Sequence, residues 1–279
     1  MDLQYLAQST CANGSVIFDI GGHNGNTAYE LSPYVGTLGK IITFEPHYRL
    51  YNSIQERLAK APPATHNIIP INRALSSSIG FANFYFGTNP DADQASSLLE
   101  PSVEMSKHFG TVRSTTVETD TLDAFILRHN ITPDLIKIDV EGAEEQVLRG
   151  GEYFLKKHHT PIYFEHTSGG NEQSAANTLK TIELLMSYGY QIFLSDIMDF
   201  GDKHVWTNQP QTQNLLISIE YKDFIQLSKY DYTGNSVAIA NFSNTSLQSK
   251  VNIISFPVFL NAVIEAQGKS PHIRPQYKK

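Results

Sequence analysis

Apolar runs and helical spacings take turns along this chain from about residue 15 to about residue 220. The runs at 16–20, 40–45, 68–71, 135–140, 161–165, 190–194 and 215–220 have few polar interruptions. That is the pattern of strands buried on both faces of a parallel sheet. Between them apolar residues recur at helical spacing. Leu50, Ile54 and Leu58 predict a helix over 48–58, and Val147, Leu148 and Leu155 one over 142–155. Leu179, Ile182, Leu185 and Met186 predict a third over 177–188, stopped by Gly189. Shorter helices are expected over 26–34 and 121–128. Phe81, Phe84 and Phe86 suggest one short strand inside the otherwise irregular stretch 76–116, which also holds a polar loop over 89–97. Strands alternating with helices imply right-handed βαβ units and a mostly parallel sheet with helices on both faces. The connection from 194 to 215 carries no helix signal, so an antiparallel partner is expected there. After residue 220 the alternation fails. The expected organisation is therefore a domain over 1–220 and a C-terminal extension over 221–279, packed on or beside it, with a basic frayed tail from about 268.

Two of the strands end abruptly in acidic residues and glycine. Val16–Ile20 runs into Gly21, Gly22, His23, Asn24 and Gly25, and the 135–140 run ends in Asp139, Val140, Glu141, Gly142, Ala143 and Glu144. In open α/β sheets the carboxyl ends of the strands border the ligand crevice. Glycines there let the backbone turn sharply and approach a ligand closely, and the helix that follows offers unpaired N–H groups. Glu45, ending the second strand, can accept hydrogen bonds from two ribose hydroxyls. These features describe a nucleoside-bearing cofactor. The spacing is not the Gly-x-Gly-x-x-Gly of dinucleotide sites. The extra carboxylate of Asp19 would repel a pyrophosphate but attract the amino group and sulfonium of S-adenosylmethionine. The residues favour S-adenosylmethionine over NAD, with a plain tight loop as the bland alternative.

Bulk properties narrow the classes. A net charge of -7 over 279 residues argues against broad nucleic-acid or anionic-membrane binding. The single cysteine, Cys11, excludes an internal disulfide framework and a thiolate metal cage. The first fifteen residues lack the pattern of a secretory signal, and the apolar 253–264 stretch is too short to span a bilayer and contains Pro257. A cytoplasmic location is expected.

The stretch from Ile136 to Glu144, followed by Val147, Leu148, Arg149, Gly150 and Gly151, is the most specific motif. With it the chain resembles the FkbM family of S-adenosylmethionine-dependent methyltransferases. The resemblance also takes in Phe44, Glu45 and Pro46, the stretch from Asn72 to Ser76, the Ser96, Ser97 and Leu98 loop, Thr121 to Asp123, and the 161–165 strand, and it covers about residues 14–220. It implies a class I, Rossmann-like seven-stranded sheet whose last strand is antiparallel. It also implies methyl transfer to a hydroxyl oxygen of a sugar or other natural-product-like small molecule. By that resemblance Asp19, Gly21, Gly22, His23 and Gly25 surround the methionine end of the cofactor, Glu45 holds the ribose, and Asn72 and Ala74 border the adenine. Asp139 faces the transferring methyl. Family members often carry Ala-Asn where this chain has Gly22 and His23, so His23 must supply that contact or it is lost.

Methyl transfer requires in-line alignment of acceptor oxygen and methyl carbon, and a carboxylate or histidine can take the acceptor proton. Asp139, Glu141, Glu165 and His166 all lie at or just past predicted strand ends; Asp139, Glu141 and His166 are the chosen catalytic candidates. The same oxygen-rich group could hold a divalent cation, but a cation is not favoured. Lys137 is as well explained by an ion pair as by catalysis, Glu145 as a helix-start residue, and Glu144 is open. Tyr153 and Lys157 match the Tyr-x-x-x-Lys pair of short-chain dehydrogenases, but the upstream serine those enzymes need is missing, and the match is rejected. Two alternatives remain: an NAD(P)-dependent oxidoreductase on a similar sheet, and a non-catalytic binding module whose extension serves as a lid or homodimer surface.

Overall fold

In a computed structural model of the 279-residue chain, residues 3–61, 65, 67–88, 96–101, 111–167, 172–200, 215–219, 222, 232–240, 242, 248 and 252–255 are described. Strands β1 (Val16–Ile20), β2 (Lys40–Phe44), β3 (Ile68–Ile71), β7 (Leu135–Ile138) and β8 (Ile162–Thr167) form a parallel block in the order β3-β2-β1-β7-β8. β1 and β7 are neighbours in that block, so the two glycine-and-acid termini read from the sequence lie side by side. β4 (Ala74–Leu75), β5 (Gly80–Gly87) and β6 (Val112–Asp120) form a separate small sheet in the order β4-β6-β5.

The block continues through β11 (Tyr232–Ala240), β9 (Tyr190–Phe200), β10 (Leu215–Ile219) and β12 (Asn252–Ser255). β11 is antiparallel to both β8 and β9, so β9 runs parallel to the block. The seven strands from β3 to β9 are therefore the expected class I sheet with one antiparallel member, and β10 and β12 extend its edge. The antiparallel member is not the one expected. The 215–219 strand pairs antiparallel to β9 on its outer side, as the missing helix signal implied. The inserted strand comes from 232–240, in the stretch read as an extension. Val237, Ala238 and Ile239 are buried in the sheet interior, so the chain past residue 220 contributes to the core and is not merely laid beside it.

Two apolar layers cover the sheet. Phe18, Ile136, Ile138, Ile162 and Phe164 meet α4 (Leu122–His129), α5 (Glu144–Arg149), α6 (Glu152–His158) and α7 (Glu172–Ser187) through Phe125, Val147, Leu148, Leu155, Ile182 and Leu185. Ile17, Ile41, Leu135 and Val237 face α1 (Leu3–Thr10) and α2 (Asn26–Val35) through Leu6, Ala7, Ala28, Leu31 and Val35. Phe18, Phe44 and Phe125 stack edge to face, with ring centres 4.8–5.7 Å apart. α3 (Tyr48–Lys60) buries Ile54 beneath Gly25, where α2 begins.

The helix expected over 142–155 is two helices. Gly150 and Gly151 interrupt it because they touch the Ser76 carbonyl and Leu122, where a side chain has no room. The loop expected at 89–97 is described only from Ser96 on, and the tail from 268 lies outside the described residues. No helix among the described residues is long and apolar enough to cross a membrane.

Ending the chain after Glu220 removes β11 and leaves the facing edges of β8 and β9 unpaired. The truncated protein is expected to lose its cooperative urea transition; a sharp transition at the parent's midpoint would place β11 outside the folding core.

Candidate active site

The first strand turn is built by a close approach. Gly21 has φ +86°, and a Cβ there would collide with the carbonyl oxygen of Asp139. Gly21 and Gly22 both donate their N–H groups to the Phe44 carbonyl, at 3.1 and 2.9 Å, and Asp139 N donates to Ile20 O at 3.0 Å. A Cβ on Gly22 would collide with the Thr43 hydroxyl. The sequence places glycine at 21 and 22 because the ends of β1, β2 and β7 converge there.

Glu45 sits across this turn. Its Oε2 accepts from His23 N at 2.8 Å and its Oε1 from His47 N at 2.7 Å. His23 thus contributes its backbone to the carboxylate, whatever its ring does. Asn72 Nδ2 donates to the carbonyls of Glu45 and Pro46, at 2.9 and 3.0 Å, and so supports this corner from behind. His23 (φ +48°) and Glu141 (φ +56°) are non-glycine residues in the left-handed region. Such residues cost about 1–2 kcal/mol each and gather at functional sites.

A partly open cleft lies over these residues. Gly21, His23, Glu45, Ala74, Asp139 and Glu141 line it. Phe84, Leu50, Leu98 and Leu75 make its apolar end, a surface suited to a flat heterocycle. Ser97 ties the covering loop down: its hydroxyl donates to Val140 O at 3.1 Å and accepts from Leu99 N at 3.1 Å.

Other expected residues are placed differently. Asp19 is fully buried beneath Gly22 and does not line the cleft; Thr43 Oγ1 donates to its Oδ2 at 2.9 Å, and Lys137 Nζ lies 3.3 Å from its Oδ1. Gly22, Gly25 and Asn72 also shape the wall without lining it. His166 is the clear departure among the catalytic candidates. Along β8 side chains alternate, so it stands beside Phe164 on the sheet face opposite Glu165, with Nε2 2.7 Å from Ser236 Oγ of β11. Burial pushes its imidazole down to about 3. The strand-end signal could not tell Glu165 from His166, because the face is set by the register of β7 with β8.

Glu165 takes the place expected of His166. Asp139, Glu141 and Glu165 each offer a carboxylate oxygen within 4.8 Å of the others. The group could share protons or accept the ligand bonds of a divalent cation. Burial, then the neighbouring Asp139, pushes the carboxyls of Glu141 and Glu165 upward. Glu144 is a structural partner: its Oε1 accepts from Val140 N and Gly142 N at 3.1 and 3.2 Å, fixing the turn that aims Glu141. Glu145 pairs with Arg149 at 2.7 Å on the surface. Tyr153 is 68% exposed on α6, away from the cleft, which disposes of the dehydrogenase pair.

A methyltransferase FkbM domain model matches residues 19–192, more than half of the chain. The chain belongs to the FkbM methyltransferase family. The hexuronic acid methyltransferase AglP of Haloferax volcanii is 29% identical over 150 residues, covering 53% of this chain and 55% of that protein. The chain thus spans about half the length of this curated relative. Among solved structures, an O-methyltransferase from Bacillus cereus in complex with S-adenosylhomocysteine has a TM-score of 0.46 at 12% identity, covering 86% of this chain and 79% of that one. A methyltransferase FkbM from Methylobacillus flagellatus scores 0.45 at 13% identity, covering 83% and 47%. Scores this low add nothing to what the strand order already shows.

Burial raises the carboxyls of Glu45 and Glu144 from an ordinary value of 4.5 to about 7, against the pull of their backbone N–H partners. Each holds its proton more tightly folded than unfolded. Their contribution to stability is complete below pH 4.5 and is lost as the pH rises through about 7. The upward shifts of Glu141 and Glu165 act in the same direction. The urea midpoint of the ligand-free protein is expected to fall between about pH 5.5 and about pH 8.5, and Glu45→Gln or Glu144→Gln to flatten that fall. A midpoint that rises over this window would contradict the burial of these groups.

Proposed function

We propose that this FkbM-family methyltransferase transfers the methyl of S-adenosylmethionine to a hydroxyl oxygen of a sugar or similar natural-product-like molecule. The observation that carries the reading is the position of Asp139 and Glu141 in the same cleft as the Gly21 turn and Glu45. A cofactor site and a set of proton acceptors share one cavity. The sugar class is supported by the hexuronic acid named for the Haloferax relative.

The residues fit the cofactor. The Gly21 turn forms part of the cleft wall, Glu45 keeps lone pairs free beside its two N–H partners for ribose hydroxyls, and Phe84, Leu50 and Leu98 offer an apolar slot for adenine. When bound, the cofactor supplies an electrophilic methyl on a cationic sulfur. The protein's own work is then to orient and to move a proton. Asp139, Glu141 and Glu165 accept hydrogen bonds from acceptor hydroxyls, and alignment of the attacking oxygen supplies much of the rate. One carboxylate of the group takes the hydroxyl proton as the C–O bond forms. Glu141, which burial raises to about 8, suits that task, because a base is most effective with a pKa near the working pH.

Calorimetry with S-adenosylhomocysteine, followed by methyl transfer to a panel of neutral and acidic sugars, tests this directly. Binding of S-adenosylhomocysteine and a methyl ether product are expected, and Asp139→Asn or Glu141→Gln should lower kcat by about 10²–10⁴-fold with little change in cofactor affinity. A thermal shift with NADH and none with S-adenosylhomocysteine would replace this reading with an oxidoreductase. Activity lost to EDTA and restored by Mg²⁺ would place a cation among the three carboxylates.

A further inference from the structure

We propose that Lys137 is a positioning residue for methyl transfer, locking the glycine turn and the Asp139 carboxylate into one fixed unit. The inference rests on the cleft being the cofactor and transfer site, and it concerns a buried cation outside the cleft lining.

Lys137 lies mid-strand in β7 with a side chain only 7% exposed. Its ammonium meets three acceptors. It donates to the Gly21 carbonyl at 2.7 Å and lies 3.3 Å from Asp19 Oδ1 and 3.2 Å from Asp139 Oδ2. An ammonium has three protons and no acceptor capacity, so this set matches it one to one. Two of the three partners belong to the cleft wall, and the third does not. Gly21 and Asp139 line the cleft, and the Asp139 side chain is 36% exposed toward it. Asp19 is anchored away from the cleft by the Thr43 hydroxyl and gives the ammonium a fixed counter-charge.

The consequence is mechanical. Lys137 Nζ ties the carbonyl end of the Gly21–Gly22 peptide to the Asp139 carboxylate, while the Phe44 carbonyl holds the N–H end of that peptide. A displacement of about 1 Å at a reacting group costs about 10²-fold in rate, so a residue that fixes two walls of the site acts on the rate without touching substrate. Asp19 acts through Lys137 for the same reason. Its charge reaches the cleft through the ammonium rather than by facing the cofactor.

Removing Lys137 alone leaves two carboxylates with no cation, and Lys137→Met is expected to fold poorly. The informative protein is therefore the double variant Asp19→Asn with Lys137→Met, which removes one charge of each sign, studied beside Lys137→Arg. Three quantities are read on each: the urea midpoint, the dissociation constant for S-adenosylhomocysteine, and kcat against acceptor KM. The double variant is expected to stay folded, to bind S-adenosylhomocysteine about tenfold more weakly, and to lose about 10²-fold in kcat with acceptor KM nearly unchanged. Lys137→Arg keeps the charge but replaces a compact ammonium with a planar fork, and a similar loss of kcat at near-parent stability is expected. If the double variant does not fold, Lys137→Arg alone decides. Parent-like kcat and affinity per folded molecule in either folded variant would reduce Lys137 to a structural ion pair and overturn the proposal. A parent enzyme that fails to bind S-adenosylhomocysteine would instead overturn the reading of the cleft itself, and the proposal with it.

Discussion

Two parallel strands that share no turn, β1 and β7, end side by side with no room for a side chain between them. Register pairs Asp19 with Lys137 and Ile20 with Ile138. The next residues on each strand must then pass one another, and only glycine at 21 leaves the Asp139 carbonyl its space. Everything chemical in the cleft follows from that contact. It sets the depth of the turn and brings Asp139 over it. It also places the Lys137 ammonium where it reaches both.

Electrostatics then divides the acidic residues into three kinds. Asp19 is buried, paired and out of reach of any ligand. Asp139, Glu141 and Glu165 face one another, and their mutual repulsion adds to burial in raising the affinity of Glu141 and Glu165 for protons. Glu45 and Glu144 are held by backbone N–H groups at the two strand-end turns. The site thus keeps a high density of carboxyls by tying some to the main chain and one pair to a single cation. Separated carboxylates at this burial would each carry the full penalty of leaving water.

Much of this was legible along the chain. The strands at 16–20, 40–44, 68–71 and 135–138 were marked by apolar runs too continuous for a surface strand, and their acidic ends marked the crevice. The small sheet was less visible. β6 reads Val-Arg-Ser-Thr-Thr-Val-Glu-Thr-Asp, polar because one face is exposed, and without the long apolar run it passed for irregular chain. β11 carried a usable signal in the run Val237, Ala238, Ile239 and Ala240. Its place between β8 and β9 carried none, because pairing across the sheet is set by which edges remain open once the helices have packed.

The sequence by itself determined the sheet class, the edge that bears the cleft, the glycine turn and the carboxylate of Glu45, since each depends on local backbone chemistry or on strand-length burial. Only the tertiary structure decided which acidic residues come together. Glu165 and His166 are adjacent in the chain and opposite in space, because a strand sends neighbours to opposite faces and the register with β7 chose between them. Likewise Asp19 and Lys137 stand more than a hundred residues apart, and what each does depends on a distance of 3.3 Å that the folded sheet alone creates.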